Sequence, residues 1–250
     1  MPNREDYIGV FDSGVGGLSV LKALLQELPG ERFLYFGDCA NAPYGTKTTQ
    51  QVKDLTFAAA EKLFCRGIKA LVVACNTATA AAIDDLRAKY PDGIIVGIEP
   101  AVKLAHDHYP QGKVGVLATP VTLREEKFAH LAENFSQMEI TPIPLPGLVE
   151  LIEKGEDPEA FLQPVLAPYR NKLDAVVLGC THYPLIAPVF RSILGQNTEL
   201  LDGAKGTAQQ TKRRLLAADL LEKGEGCVVF ESSAEGDFEK RCKTFLEEKS

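Results

Sequence analysis

The sequence contains no apolar stretch of the ~18 residues that a membrane-spanning helix requires, although 45% of its 250 residues are hydrophobic. Residues 1–6 (MPNRED) are polar and acidic, so we expect no signal peptide. These absences argue against a membrane protein and against export. They predict a cytoplasmic protein with a sizeable hydrophobic core.

The sequence also lacks a continuous block of lysine and arginine, and its formal net charge is −7. Its densest basic group, Lys212–Arg214, lies in a helical pattern that also carries Asp219 and Glu222. We interpret this group as the solvated face of a helix. Neither a nucleic acid nor a membrane is therefore expected as the main partner.

The cysteines form no C-x-x-C pair and have no Cys/His spacing suited to zinc. We therefore expect no metal, and no cofactor-binding motif is evident either. Without an export signal the thiols should be reduced. We interpret three of them, Cys65, Cys227 and Cys242, as packing residues.

Nine short apolar runs alternate with helical patterns and are predicted to be strands. Their hydrophobicity is continuous, so both faces of each strand should be buried, as in parallel sheets covered by helices. The sequence therefore predicts an α/β fold of the doubly wound type. The predicted strands are Ile8–Phe11, Arg32–Phe36, Ala70–Ala74, Ile94–Ile98, Val114–Leu117, Glu139–Ile143, Ala175–Leu178, Glu199–Leu201 and Val228–Glu231.

Two near-copies of one short segment indicate an internal duplication. Residues 70–78 (ALVVACNTA) and 175–183 (AVVLGCTHY) place Cys75 and Cys180 105 positions apart. The strands around Gly9 and Gly115 repeat at an offset of 106. Two landmarks with nearly the same offset predict two similar domains related by a pseudo-two-fold axis. The predicted domains are 1–98 plus 208–250 and 99–207, with the active site in the cleft between them.

Residues 12–17 (DSGVGG) form a glycine-rich loop between a strand and a helix. A nucleotide site is one interpretation, with Asp38 as the ribose-binding acid, but the third glycine of the fingerprint would fall on Ser19. A second interpretation is a cradle of loop N–H groups for a ligand carboxylate, with Asp12 as an acid/base group beside it. A plain turn is the third. We favour the carboxylate cradle.

Each repeated cysteine follows a buried strand and precedes a helix. Taken alone, either segment fits a buried cysteine followed by a helix cap. The matched pair instead favours thiols whose pKa is lowered by a helix N-terminus. Thr77 and Thr181 are expected to cap their helices, which leaves Asn76 free to hold a ligand carboxylate. His182, two residues after Cys180, can assist proton transfer.

Each of two further segments allows either a functional or a structural interpretation. Glu150, in an apolar helix start, is either a buried functional carboxylate or faces solvent, as we expect for Glu153. The loop 37–48 (GDCANAPYGTKT) carries Tyr44, which either covers a ligand or belongs to an ordinary surface loop.

Two thiols that face one ligand suit proton transfer at a stereocentre. One thiolate removes a proton, and the thiol on the other face delivers one, which inverts the centre. A hydrolase with one active cysteine and a nucleotide- or anion-binding module with inert cysteines are the alternatives.

Four motifs in order resemble those of glutamate racemases in the aspartate/glutamate racemase superfamily, and the resemblance runs from about Tyr7 to Leu246, nearly the whole chain. CTHYP favours the glutamate branch, and a racemase of aspartate or another amino acid is the alternative. The resemblance implies cofactor-independent interconversion of L- and D-glutamate for peptidoglycan synthesis, and it allows a homodimer. The motifs are residues 12–17 (DSGVGG), 43–45 (PYG), 74–78 (ACNTA) and 178–184 (LGCTHYP).

The resemblance also implies a role for individual residues. Cys75 would take the proton from D-glutamate with help from Asp12, and Cys180 would take it from L-glutamate with help from His182 and Glu150. The remaining matched positions would hold the substrate. They are Ser13, Pro43, Tyr44, Gly45, Asn76, Thr77, Thr119, Thr122 and Thr181.

Overall fold

The structure, a computed structural model, describes residues 2–98 and 101–247. Nine strands occur in these ranges, and each lies within one residue of its predicted bounds at both ends. They are β1 (Ile8–Asp12), β2 (Arg32–Gly37), β3 (Ala70–Val73), β4 (Ile94–Gly97), β5 (Lys113–Ala118), β6 (Glu139–Pro144), β7 (Ala175–Gly179), β8 (Glu199–Leu201) and β9 (Cys227–Ser232).

Helices connect the strands, as parallel pairing requires. They are α1 (Leu18–Glu27), α2 (Thr49–Cys65), α3 (Asn76–Lys89), α4 (Val102–His108), α5 (Pro120–Arg124), α6 (Glu126–Asn134), α7 (Leu148–Lys154), α8 (Glu159–Leu166), α9 (Ala187–Leu194), α10 (Ala204–Ala217) and α11 (Phe238–Glu247). Short 3-10 turns occupy Cys39–Asn41, Tyr44–Thr46, Ala167–Tyr169 and Tyr183–Ile186.

The strands form two parallel sheets with the same internal order. The first sheet runs β4-β3-β1-β2-β9, and the second runs β8-β7-β5-β6. The two glycines of the duplicated strands have the same packing role. A Cβ on Gly9 would lie 2.9 Å from Ile68 Cδ1, and a Cβ on Gly115 would lie 2.9 Å from Leu173 Cδ1. The repeat in the sequence is therefore a repeat in the fold.

Both faces of each sheet are covered, because alternate side chains of a strand point to opposite sides. In β1, Ile8 packs with residues of α1 and α10, whereas Phe11 packs with residues of α2 and α3. In β5, Val116 packs toward α4, whereas Leu117 packs toward α8 and α9. The prediction of a doubly wound α/β fold with two similar parallel sheets is confirmed.

The chain returns to the first sheet after completing the second. Strand β9 pairs in parallel with β2, and α10 packs on α1. The predicted domain limit between 207 and 208 falls inside α10, which begins at Ala204. The other predicted domain limit, between 98 and 99, borders residues 99–100, which lie outside the described residues. Within the described ranges, no helix is both long and apolar enough to cross a bilayer.

Candidate active site

The two repeated cysteines line one small cavity beyond the carboxyl ends of the strands. Cys75 follows β3 and Cys180 follows β7, and the cavity holds about 270 Å³ of space between atoms. The wall consists of Ser13, Pro43, Tyr44, Gly45, Cys75, Asn76, Thr77, Thr119, Val149, Cys180, Thr181 and His182.

Eleven of these twelve residues are predicted site residues, and Val149 is the addition. The other three predicted residues, Asp12, Thr122 and Glu150, are absent from the wall of this cavity. Asp12 and Thr122 are buried, at 0% and 1% exposed. Glu150 lines a neighbouring cavity.

Cys75 itself is the N-cap of α3, and its Sγ accepts a hydrogen bond from the Ala78 N–H at 3.4 Å. The thiol also donates to Ser13 Oγ at 3.7 Å. Burial, followed by the charge of Asp12, nevertheless raises the pKa of Cys75 to about 12, because the hydrogen bonds that the Ala78 N–H and the Ser13 hydroxyl can donate to the thiolate only partly oppose them. The expectation that the helix terminus lowers this pKa is wrong, since the thiol lies in a closed cavity with little access to water.

On the other side, Cys180 Sγ lies 3.9 Å from His182 Nδ1. The second ring nitrogen of His182, Nε2, lies 2.7 Å from Glu153 Oε1. Burial alone lowers the pKa of His182, but the hydrogen bonds to Cys180 and Glu153 outweigh it and raise the pKa to about 10. At neutral pH the ring is therefore an imidazolium that donates to both partners.

Glu153 does not face solvent as expected, because its side chain is only 25% exposed and bonds to His182. Burial tends to raise the pKa of Glu153, but His182, Arg241 and the Val15 N–H lower it overall. The partner of His182 is thus Glu153, one helical turn after Glu150. Residue spacing could not separate the two glutamates, since positions i and i+3 share one helix face.

The glycine-rich loop binds the carboxylates of the chain itself. Asp12 Oδ2 accepts from the Gly14 N–H at 2.9 Å, and Glu153 accepts from the Val15 N–H. The Gly14 and Val15 N–H groups are therefore not available as the expected cradle for a ligand carboxylate, although Ser13 of the same loop lines the cavity. The glycines allow close packing instead, because a Cβ on Gly14 would lie 2.7 Å from Glu153 Oε1, and one on Gly16 would lie 2.7 Å from Thr181 Oγ1.

Asp12 also reaches across the cleft, where its Oδ1 accepts from the Thr181 hydroxyl at 3.1 Å. Burial raises the pKa of Asp12, although the charge of His182 and the hydrogen bonds from Gly14, Gly17 and Thr181 oppose this. Thr181 is therefore occupied by Asp12 and does not cap a helix as expected.

Three threonine hydroxyls form a buried network between the two sheets. Thr77 Oγ1 lies 3.0 Å from Thr119 Oγ1, and Thr119 Oγ1 lies 3.0 Å from Thr122 Oγ1. Thr119 is also the N-cap of α5, since its side chain accepts from the Thr122 N–H. Thr77 thus links the two halves of the site, whereas the capping role expected for it belongs to Cys75.

The wall also carries a buried amide without a partner. Asn76 is 5% exposed, and among the described residues neither its Oδ1 nor its Nδ2 has a hydrogen-bond partner. An unsatisfied buried polar group costs roughly 1–3 kcal/mol, which a bound polar ligand can offset. Asn76 is therefore the clearest candidate for a ligand-binding group in the cavity wall.

The acid proposed for a ribose is already engaged. Asp38 Oδ2 accepts from the Tyr44 hydroxyl at 2.6 Å, and both carboxylate oxygens accept from Asn41. Tyr44 is 1% exposed and belongs to the cavity wall. Within residues 2–98 and 101–247, no group of three or more His, Cys, Asp or Glu side chains is arranged to hold a metal.

Comparison with known proteins identifies the class of this site. Residues 8–211 match the family model of the Asp/Glu/hydantoin racemases. The chain belongs to this family, and it is accordingly an enzyme of the racemase class, an isomerase.

Individual relatives narrow the class further. A glutamate racemase of Clostridium kluyveri is 51% identical over 222 residues, which cover 86% of each chain. The glutamate racemase isoform RacE1 from Bacillus anthracis superimposes with a TM-score of 0.88 at 29% identity, covering 98% of this chain and 95% of that one. A glutamate racemase from Francisella tularensis, solved in complex with D-glutamate, gives 0.85 at 29% identity, covering 98% and 95%. The resemblance to glutamate racemases is confirmed.

Proposed function

We propose that this enzyme interconverts L- and D-glutamate without a cofactor, by proton transfer between Cys75 and Cys180. The observation that carries the proposal is that both cysteines line one small closed cavity. The similarity to glutamate racemases over most of the chain supports glutamate as the substrate.

The polar groups of the wall suit a small amino acid with two carboxylates. Asn76 offers an amide without a partner, and the Ser13, Thr77 and Thr181 hydroxyls lie in the same wall. The N-terminus of α3 adds a favourable field for an anion. The proposed substrate-binding set also includes Pro43, Tyr44, Gly45 and Thr119, with Thr122 supporting Thr119.

In the direction from L to D, the Cys180 thiolate takes the Cα proton and becomes a thiol. The electron pair of the broken C–H bond stays on Cα and is delocalised into the adjacent carboxylate. The Cys75 thiol then donates its proton to the opposite face and becomes the thiolate. The high pKa of Cys75 keeps this thiol protonated and ready to donate.

His182 and Glu153 support the Cys180 side of this reaction. An imidazolium 3.9 Å from Cys180 Sγ stabilises a thiolate there by charge and hydrogen bonding. Glu153 holds the ring by its second nitrogen. In this proposal Glu153 takes the role that the family resemblance implied for Glu150.

In the reverse direction, Cys75 must act as the base. Asp12 is the group proposed to receive its proton, because Asp12 is buried and burial raises its pKa toward that of a useful acceptor. Each positioned acid or base contributes about 10²–10⁴-fold to the rate. The closed cavity excludes water, and this strengthens the electrostatic stabilisation of the carbanion by the groups of the wall.

The biological role proposed is the supply of D-glutamate for peptidoglycan, as the resemblance implies. The cytoplasm suits the reaction, because both catalytic cysteines are free thiols and must remain reduced. A homodimer stays a prediction.

The proposal is tested by racemisation in D₂O starting from one pure enantiomer. Two-base transfer labels the product at Cα, while the substrate recovered early stays unlabelled. Label in both pools at early times would instead indicate a single base. Circular dichroism with L-glutamate, L-aspartate and other L-amino acids tests the substrate. Faster inversion of any of these than of glutamate would overturn the assignment.

A further inference from the structure

The C-terminal helix α11 is anchored in the core of the first sheet. Phe238 and Cys242, four residues apart on one helix face, are 8% and 0% exposed. The Phe238 ring stacks 6.1 Å from Tyr35, whose hydroxyl donates to the Gly14 carbonyl at 2.8 Å. The helix is therefore attached to the same glycine-rich loop that touches the catalytic groups.

One side chain of this helix crosses to the second half of the site. Arg241 Nη2 lies 3.6 Å from Glu153 Oε2, while Glu153 Oε1 bonds to His182. The two oxygens of one carboxylate thus join α11 to the group that supports Cys180. Arg241 lies beyond the residues 8–211 matched by the family model.

We infer that Arg241 is a positioning residue for proton transfer at Cys180. It holds one oxygen of Glu153, so that the other oxygen stays on His182 and the ring keeps its Nδ1 toward Cys180 Sγ. The inference rests on the proposed function.

The size of the effect follows from exposure. The Arg241 side chain is 53% exposed and that of Glu153 is 25% exposed, so water screens the attraction between them. Pairs of this kind stabilise by little, and we expect about a two- to fivefold change in rate. The test therefore depends on whether kcat/KM falls and on whether proton transfer at Cys180, rather than at Cys75, becomes slower.

The test compares Arg241→Gln with Arg241→Lys, which keeps the charge, and with Lys240→Gln on the exposed surface of the same helix. Arg241→Gln should lower kcat/KM about two- to fivefold in both directions, since the equilibrium constant between enantiomers is one. Arg241→Lys and Lys240→Gln should stay within about twofold of the unchanged enzyme. Arg241→Met retains the apolar stem and replaces Arg241→Gln if that variant does not fold.

Isotope effects distinguish positioning from a general structural defect. If transfer at Cys180 becomes slower, the kinetic isotope effect on kcat/KM rises for L-glutamate deuterated at Cα and falls for the deuterated D-enantiomer. A general loss of active protein leaves both effects unchanged. Equal rates and isotope effects in Arg241→Gln and Lys240→Gln would overturn the inference. Absence of glutamate racemisation in the unchanged enzyme would instead overturn the proposed function.

Discussion

His182 Nε2 and Glu153 Oε1 form a hydrogen bond of 2.7 Å, and the other ring nitrogen of His182 faces Cys180. The bond fixes the ring orientation and keeps a positive charge beside one of the two thiols. No equivalent imidazole lies in the described wall beside Cys75, where Ser13 and the Ala78 N–H are the neighbours. The two cysteines are therefore equivalent in fold but different in environment.

The first prediction separates the two glutamates of α7. Glu153→Gln should lower kcat/KM by about 10–100-fold, somewhat below the ~10²–10⁴ of a group that itself transfers the proton, because Glu153 acts through His182. Glu150→Gln should give the smaller loss, since Glu150 lines the neighbouring cavity. Initial rates by circular dichroism measure both. A larger loss in Glu150→Gln would restore the role implied by the family resemblance.

The second prediction concerns the close approach at Gly16. Gly16→Ala would place a methyl group against the His182 ring and 2.7 Å from Thr181 Oγ1. Overpacking of this kind costs typically 1–3 kcal/mol, and here it pushes the two halves of the site apart. We expect a loss of at least about fivefold in kcat/KM, since about 1.4 kcal/mol at the transition state is a factor of ten.

Gly206→Ala is the matched control for Gly16. Gly206 lies in α10, and a Cβ there would meet nothing within 4 Å. Alanine in a helix interior is more favourable than glycine by about 0.5–1 kcal/mol. Denaturant unfolding should therefore show a more stable variant with unchanged activity. Equal activity in Gly16→Ala and Gly206→Ala would contradict the packing argument.

The sequence predicted the strands and the cysteine pair because both depend on local patterns. Continuous apolar runs mark buried parallel strands, and Cys75 and Cys180 each stand directly after one. The offset shared by Gly9 and Gly115 was informative because each glycine makes room for one large side chain, Ile68 or Leu173, that lies just before the neighbouring strand leading to a cysteine. Local pattern and packing agree at these positions.

The remaining features depend on contacts between distant segments. The sequence predicted an anion cradle at the glycine-rich loop. It could not show that Glu153 and Thr181 contact this loop, because both residues come from the other half of the chain. The choice between Glu150 and Glu153 depends on where α7 sits against β7. The pKa of Cys75 is raised because the thiol is buried. The position of a cysteine before a helix can be read from the sequence, but its burial cannot.

The third prediction is a pH dependence of stability that comes from His182. Its pKa is raised from 6.5 to about 10 in the folded state, so the imidazolium stabilises the fold. This contribution is fully present below about pH 6.5 and is lost as the pH rises through about 10. The difference in unfolding free energy between the unchanged enzyme and His182→Asn should therefore shrink across this window. A difference that is constant or grows with pH would contradict the raised pKa.

The fourth prediction places a stability determinant at the end of the first sheet opposite to the site. Lys69 Nζ and Glu31 Oε2 lie 2.6 Å apart, and both side chains are 0% exposed. Lys69 also donates to the Leu220 carbonyl at 3.0 Å, and the Glu222 N–H donates to Glu31 at 2.8 Å. The pair thus ties the starts of β2 and β3 to the segment after α10.

Lys69→Met should destabilise the protein by about 3–5 kcal/mol, because it leaves the buried Glu31 carboxylate without its counter-charge. Lys53→Met is the control, since Lys53 and Asp85 form a more exposed pair worth about 1 kcal/mol or less. Under conditions where Lys69→Met stays folded, its kcat/KM should match that of the unchanged enzyme. The reason is that the four residues of β3, about 13 Å of strand, and Ala74 separate Lys69 from Cys75. Urea unfolding and initial rates measure the two quantities separately. Similar destabilisation in both variants, or a loss of kcat/KM in fully folded Lys69→Met, would contradict this separation of stability from catalysis.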